Sequence, residues 1–225
     1  MYYLEQTSLV DGGPALESCG LVHRVRQPMM AGPHPTIVML HGLGGSESST
    51  WLLGSALPRD WLVVAPRGIA RVPAGGRAWY ERRGDEWPAL EDFEPAVTAV
   101  AGFVAALPGM YAADPDRLFF MGFSQGAATA FAVAVAQRSL VSGVVSIVGF
   151  VPKGCSTADL ASLQDLPVFM AAGIRDTLVP LERSRLCARV LGEAGARLEY
   201  HEYEVGHKLS MQAARDLREW WVRRL

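Results

Sequence analysis

The sequence predicts an α/β fold, a mostly parallel central sheet with helices on both faces, in a single domain over residues 1–225. Three observations carry this prediction. Short β-branched or aromatic runs alternate with longer Ala-rich runs, several of the short runs are apolar throughout, and 225 residues suffice for one substantial body. Alternating strand and helix implies right-handed crossovers between parallel strands. Half of the residues are hydrophobic and a fifth are charged. A chain of this size and composition buries about 70–75% of its unfolded surface and needs no covalent staple.

The first strand is expected at 20–26, where LVHRVR alternates apolar and polar residues as an antiparallel edge does. Strands follow at 36–40, 61–65, 117–121, 141–147, 167–171 and 197–204, several of them continuous apolar runs suited to a sheet covered on both faces. Helices are expected at 94–107, 125–137, 180–193 and 210–224. Residues 66–88 carry four glycines, Pro73 and many charges and read as a surface excursion, with 151–165 as a second loop. No insertion is long enough for a separate lid domain, and no repeat at 20–50 residues points to a solenoid.

Charge and cysteine content exclude several function classes. Twenty-one basic against 23 acidic residues give a net charge of −2, so no whole-molecule field attracts nucleic acid or an anionic membrane. Cys19, Cys155 and Cys187 are odd in number, widely spaced and without C-x-x-C, which fits reduced thiols in a cytoplasmic protein better than a disulfide framework or zinc site. The start MYYLEQTSLVDGG lacks the basic-then-apolar pattern of a secretory signal. A charge-free stretch long enough to span a bilayer, 118–137, is interrupted by Gly122, Ser124, Gln125 and Gly126 and reads as a buried strand followed by a buried helix, so stable membrane insertion is not expected.

The chemistry begins at FFMGFSQGAATA. Ser124 stands between Gly122 and Gly126, after an apolar strand and before an Ala-rich helix, as a G-x-S-x-G elbow requires. A serine on so sharp a turn is strained and leaves no room for neighbouring side chains, and the following helix aims free N–H groups at its oxygen. Fourteen serines and 23 glycines yield about 0.15 such motifs by accident, so the motif needs company. It has three companions. PVFMAAGIRDTLVP presents Asp176 just past a strand end, where a carboxylate can orient an imidazole or cap the next turn. RLEYHEYEVGHKLS puts His207 in the loop before the last helix, where a general base belongs; His23 and His201 lie within strands, and His34 lies in a turn at the other end of the sheet. VMLHGLGGSES runs a strand into His41-Gly42-Leu43-Gly44-Gly45, whose glycines let backbone N–H groups approach a substrate.

Neither a P-loop nor a dinucleotide fingerprint is met by that glycine loop, and no H-E-x-x-H or comparable cluster occurs, so no cofactor and no metal is expected. Leu43, Ser124, Asp176 and His207 each follow the carboxyl end of an expected strand, the edge where parallel sheets bind ligands. The order nucleophile, acid, histidine is that of an α/β-hydrolase.

With HGLGG at 41–45, DPDRLFFMGFSQG at 114–126, GIRDTLVP at 173–180 and VGHKLS at 205–210, the chain resembles the phospholipase/carboxylesterase family that includes acyl-protein thioesterases. The resemblance implies an α/β-hydrolase that cleaves small-molecule acyl esters or thioesters through an acyl-enzyme. Ser124 would be the nucleophile, His207 the base, Asp176 its orienting acid, and the backbone N–H groups of Leu43 and Gln125 the oxyanion hole. Two departures bear on substrate. Gly45-Ser46-Glu47 stands where many relatives place an aspartate, and in the counterpart of a Trp-Phe-Asp stretch Trp79 and Tyr80 match the aromatics while Glu81 replaces the aspartate. Trp79, Tyr80 and Trp87 are candidates for the wall of an acyl groove. The acidic run Glu81, Asp85, Glu86, Glu91, Asp92 and Glu94, relieved by Arg82 and Arg83, reads as a solvated face and helix start. Other serine hydrolases (lysophospholipase, small peptidase, secondary-metabolite esterase) and a receptor-like binding module on the same shell are the alternatives, as monomer or homodimer.

Overall fold

The computed structural model describes residues 7–81, 84 and 86–224; Arg82, Arg83 and Asp85 of the acidic run lie outside the described residues. In chain order it forms β1 (Ser8–Val10), α1 (Gly13–Cys19), β2 (His23–Arg26), β3 (His34–Leu40), β4 (Leu62–Pro66), β5 (Ala70–Arg71), β6 (Arg77–Ala78), α2 (Glu94–Tyr111), β7 (Ala113–Phe123), α3 (Gln125–Ala136), β8 (Gly143–Ile147), α4 (Thr157–Ala161), β9 (Pro167–Gly173), α5 (Leu181–Glu193), β10 (Arg197–Tyr203) and α6 (Met211–Val222). A 3₁₀ helix over Ser49–Ala56 follows the glycine loop.

Eight strands form one sheet in the order β1-β2-β4-β3-β7-β8-β9-β10. The six strands from β4 to β10 pair in parallel, whereas β2 runs antiparallel to both β1 and β4. The alternating pattern of LVHRVR therefore marks an antiparallel strand, but not the edge, because β1 covers its outer side. The expected strand at 20–26 also begins late: Gly20, at φ 72°, closes α1 in the left-handed conformation.

Strand alternation divides the core into two layers. Val38, Leu40, Leu62, Val64, Leu118 and Phe120 point to the side of α2 and α3, where Phe103, Leu107 and Phe131 meet them. Ile37, Met39, Val63, Ala65, Phe119 and Met121 point to the other side, onto Trp51, Trp61 and, from α6, Leu217, Trp220 and Trp221. Helix α3 is buried from Gln125 to Ala134, and its alanines let it lie close on the sheet. The charge-free stretch 118–137 is thus the end of β7 and α3, as the sequence suggested. The longest apolar helical stretch among the described residues, Leu90–Tyr111, buries Ala96, Val100, Phe103 and Leu107 in the first layer.

The two expected loops hold structure of their own. Within 66–88, β5 and β6 form a two-stranded antiparallel ribbon, and within 151–165 Ser156 caps the short helix α4 by accepting from the Asp159 amide.

Candidate active site

β7 ends at Phe123, and Ser124 turns the chain into α3 with φ 52° and ψ −115°, a conformation that L-residues rarely adopt. Its amide donates to Ile147 of β8 (2.9 Å), and its carbonyl accepts from Ala127 (3.0 Å) at the start of the helix. Both flanking glycines are sterically required. A Cβ on Gly122 would collide with the Ala127 amide, and one on Gly126 with the Leu40 carbonyl of β3. Strand, elbow and helix are packed so tightly that only hydrogen fits at either position.

Asp176 lies three residues beyond β9, with its side chain 1% exposed. Oδ2 accepts from His207 Nδ1 (2.8 Å), and Oδ1 accepts from the Leu178 and Val179 amides (2.9 Å each). The turn cap and the imidazole partner are therefore the same carboxylate, one oxygen for each. Because a carboxylate only accepts, the His207 proton sits on Nδ1, leaving Nε2 as the free ring nitrogen. Phe123 packs edge-on against the His207 ring, with centroids 5.1 Å apart.

Ser124 and His207 line one cavity of about 340 Å³ together with Gly42, Leu43, Gln125, Phe150, Leu178 and Val179. Tyr80 and Trp87 are on its wall as expected, with Trp87 edge-on to Phe150 (4.7 Å) and the Arg183 guanidinium stacked 5.0 Å from the Trp87 ring. Glu86, also on the wall, pairs with Lys153 (2.5 Å). Trp79 is not on the wall. It is fully buried, its indole N–H donates to the His41 carbonyl (2.8 Å), and its amide donates to Gln125 Oε1 (2.8 Å). The expectation that Trp79 lines the groove is corrected: the indole supports the site from beneath. His23, His34 and His201 do not line the cavity; His23 is buried between the Leu21 carbonyl (2.8 Å) and the Tyr111 hydroxyl (2.6 Å).

Gln125 opens α3, so its amide is one of the N–H groups a helix start leaves unpaired, and the Leu43 amide donates to no main-chain carbonyl among the described residues. The loop carrying Leu43 is held from three sides. Gly44 donates to the Arg77 carbonyl (2.9 Å) and Arg77 to that of Gly45 (2.8 Å), which joins the loop to the β5–β6 ribbon. His41 Nε2 accepts from the Gly68 amide (2.9 Å), so its proton is on Nδ1, where it donates to the Gly42 carbonyl (2.8 Å). Burial holds His41 below the ordinary imidazole pKa, which keeps it neutral in this role. Glu47, at the position where the family pattern departs, takes a bidentate pair from Arg67 (2.6 and 2.8 Å) that holds its carboxyl below the usual range. The part played by His41 was hidden in the sequence, because its partner Gly68 lies 27 positions away.

A parallel α/β sheet with a strained serine elbow and an Asp–His pair at its carboxyl edge defines a class, the α/β-hydrolases. The family model for Phospholipase/Carboxylesterase matches residues 24–221, and the chain belongs to that family. It is 26% identical over 186 residues to the putative hydrolase MhqD of Bacillus subtilis, covering 82% of this chain and 91% of that protein. To acyl-protein thioesterase 1 of Yarrowia lipolytica it is 24% identical over 214 residues, covering 87% and 94%. The carboxylesterase structure from Bacillus cereus superposes with a TM-score of 0.81 at 21% identity, over 93% of this chain and 97% of that one, and shares the fold. The protein is a serine hydrolase of the carboxylic ester class, with esterase or thioesterase activity.

Proposed function

We propose that the protein hydrolyses small-molecule acyl esters or thioesters through an acyl-enzyme on Ser124, with His207 as base and Asp176 as its orienting acid. The observation that carries this reading is the 2.8 Å hydrogen bond from His207 to a buried Asp176 in a cavity that His207 shares with the strained Ser124. Ser124 Oγ attacks the acyl carbon while His207 Nε2 takes its proton. The carbonyl oxygen, now negative, lies against the Leu43 and Gln125 amides, and Asp176 stabilises the imidazolium. The carbon–oxygen or carbon–sulfur bond of the leaving group then breaks as His207 returns the proton to it. Water, deprotonated by the same imidazole, releases the acid and restores Ser124.

Hydrolysis of p-nitrophenyl esters from acetate to palmitate by wild type and Ser124→Ala tests the reading. The substitution should lower kcat by about 10⁴–10⁶ without unfolding the chain. Wild-type turnover by Ser124→Ala would contradict it.

A further inference from the structure

We propose that a second groove, beside the serine cavity, receives the other arm of the substrate, so that the enzyme acts on esters or thioesters extended on both sides of the carbonyl. This rests on Ser124 being the nucleophile. The groove, of about 500 Å³, runs between the glycine loop and the 3₁₀ helix over Ser49–Ala56. It shares Gly42, Leu43 and Phe123 with the serine cavity, so Leu43 and Phe123 form the boundary between the two. Its walls are mostly apolar, with Leu43 49% exposed, Leu52 84% exposed, and Leu53 and Leu209 beside them, while Ser49, Thr50 and Lys208 supply the polar part of the lining. Large apolar side chains left open beside a reaction centre are surface that a ligand gains by covering.

The geometry of acyl transfer supplies the occupant. With the carbonyl oxygen at the Leu43 and Gln125 amides, the two remaining substituents of the acyl carbon diverge. One fills the cavity walled by Tyr80, Trp87 and Phe150, and the other leaves past the Leu43–Phe123 boundary into the groove. Among the described residues lining the groove, Lys208 is the one charged side chain, and it follows His207 directly. An apolar arm with a neutral or anionic far end fits there, and a cationic end is disfavoured.

Two substrate series separate the arms: n-alkyl acetates, which lengthen the alcohol, and ethyl n-alkanoates, which lengthen the acyl chain. In wild type, kcat/KM rises along both, by up to about fourfold for each buried methylene. Leu52→Glu should flatten the rise in one series and leave the slope of the other intact. Unchanged slopes in both series, or equal flattening of both, would overturn the second subsite. In the series that responds, wild type should prefer a terminal carboxylate to a terminal trimethylammonium by about fivefold at low ionic strength, and Lys208→Leu should bring that ratio near one. A ratio unmoved by Lys208→Leu would overturn the charge selection. Ser124→Ala run alongside keeps the two claims apart: a dead variant with unchanged Leu52→Glu slopes removes the second subsite alone, whereas an active one removes the mechanism beneath it.

Discussion

Asp176 divides its carboxylate between His207 and the amides of Leu178 and Val179, and the two roles can be separated by substitution. In Asp176→Asn the amide oxygen can still accept from the turn, while the charge that orients and stabilises the imidazolium is lost. We expect kcat to fall by about 10⁴ with the melting temperature nearly unchanged. Asp176→Ala loses the cap as well and should cost about 1 kcal/mol more stability in a denaturant titration. Gly126 makes a different demand, because any Cβ there meets the Leu40 carbonyl. Gly126→Ala should destabilise the fold by about 3 kcal/mol or more, since the elbow can relax only by moving a central strand. A melting curve matching wild type would show that the elbow is looser than its packing indicates.

At the scale of elements, the β5–β6 ribbon acts on the loop that carries Leu43. Gly76 has φ 76°, and a Cβ on it would run into the Gly44 backbone. Gly76→Ala should therefore push the glycine loop out of place and lower kcat by about 10–100-fold with KM little changed, a smaller version of losing one oxyanion donor. A rise in KM at constant kcat would mean that the ribbon serves ground-state binding instead. The ribbon was not legible in the sequence because its strands are two residues long, too short for any periodicity to register. β1 was missed for the same reason, at three residues. The strands β3, β4, β8 and β9 were legible because burial on both faces makes them nearly continuous apolar runs, and Leu43, Ser124, Asp176 and His207 could be placed from the strand ends alone. Trp79 was misplaced because no repeat in an irregular segment fixes which way a side chain points; only its bonds to His41 and Gln125 do so.

Over the whole molecule, two buried histidines tie stability to pH. His23 and His41 are 0% and 1% exposed, each is held below the ordinary imidazole pKa chiefly by burial, and each accepts a hydrogen bond on Nε2 that protonation would destroy. The unfolded chain takes up protons at these residues as pH falls through about 6.5, while the native state does not. Their contribution is thus complete above that pH and is lost as pH falls toward the native values, with a slope of up to about 1.4 kcal/mol per pH unit for each histidine. Urea titrations between pH 7.5 and 5 should show this fall, and His23→Gln should reduce its slope. A flat profile would mean that both rings protonate in place.

The proposed reaction requires a covalent intermediate at one side chain, and the fold, the elbow and the Asp–His pair converge in supporting it. Incubating the protein with a fluorophosphonate ester and mapping the adduct by peptide mass spectrometry tests that convergence most directly. One stoichiometric adduct is expected, on Ser124, with loss of esterase activity in proportion to labelling and no adduct in Ser124→Ala. An unlabelled Ser124 in protein that still hydrolyses esters, or an adduct on another residue that tracks the loss of activity, would contradict it.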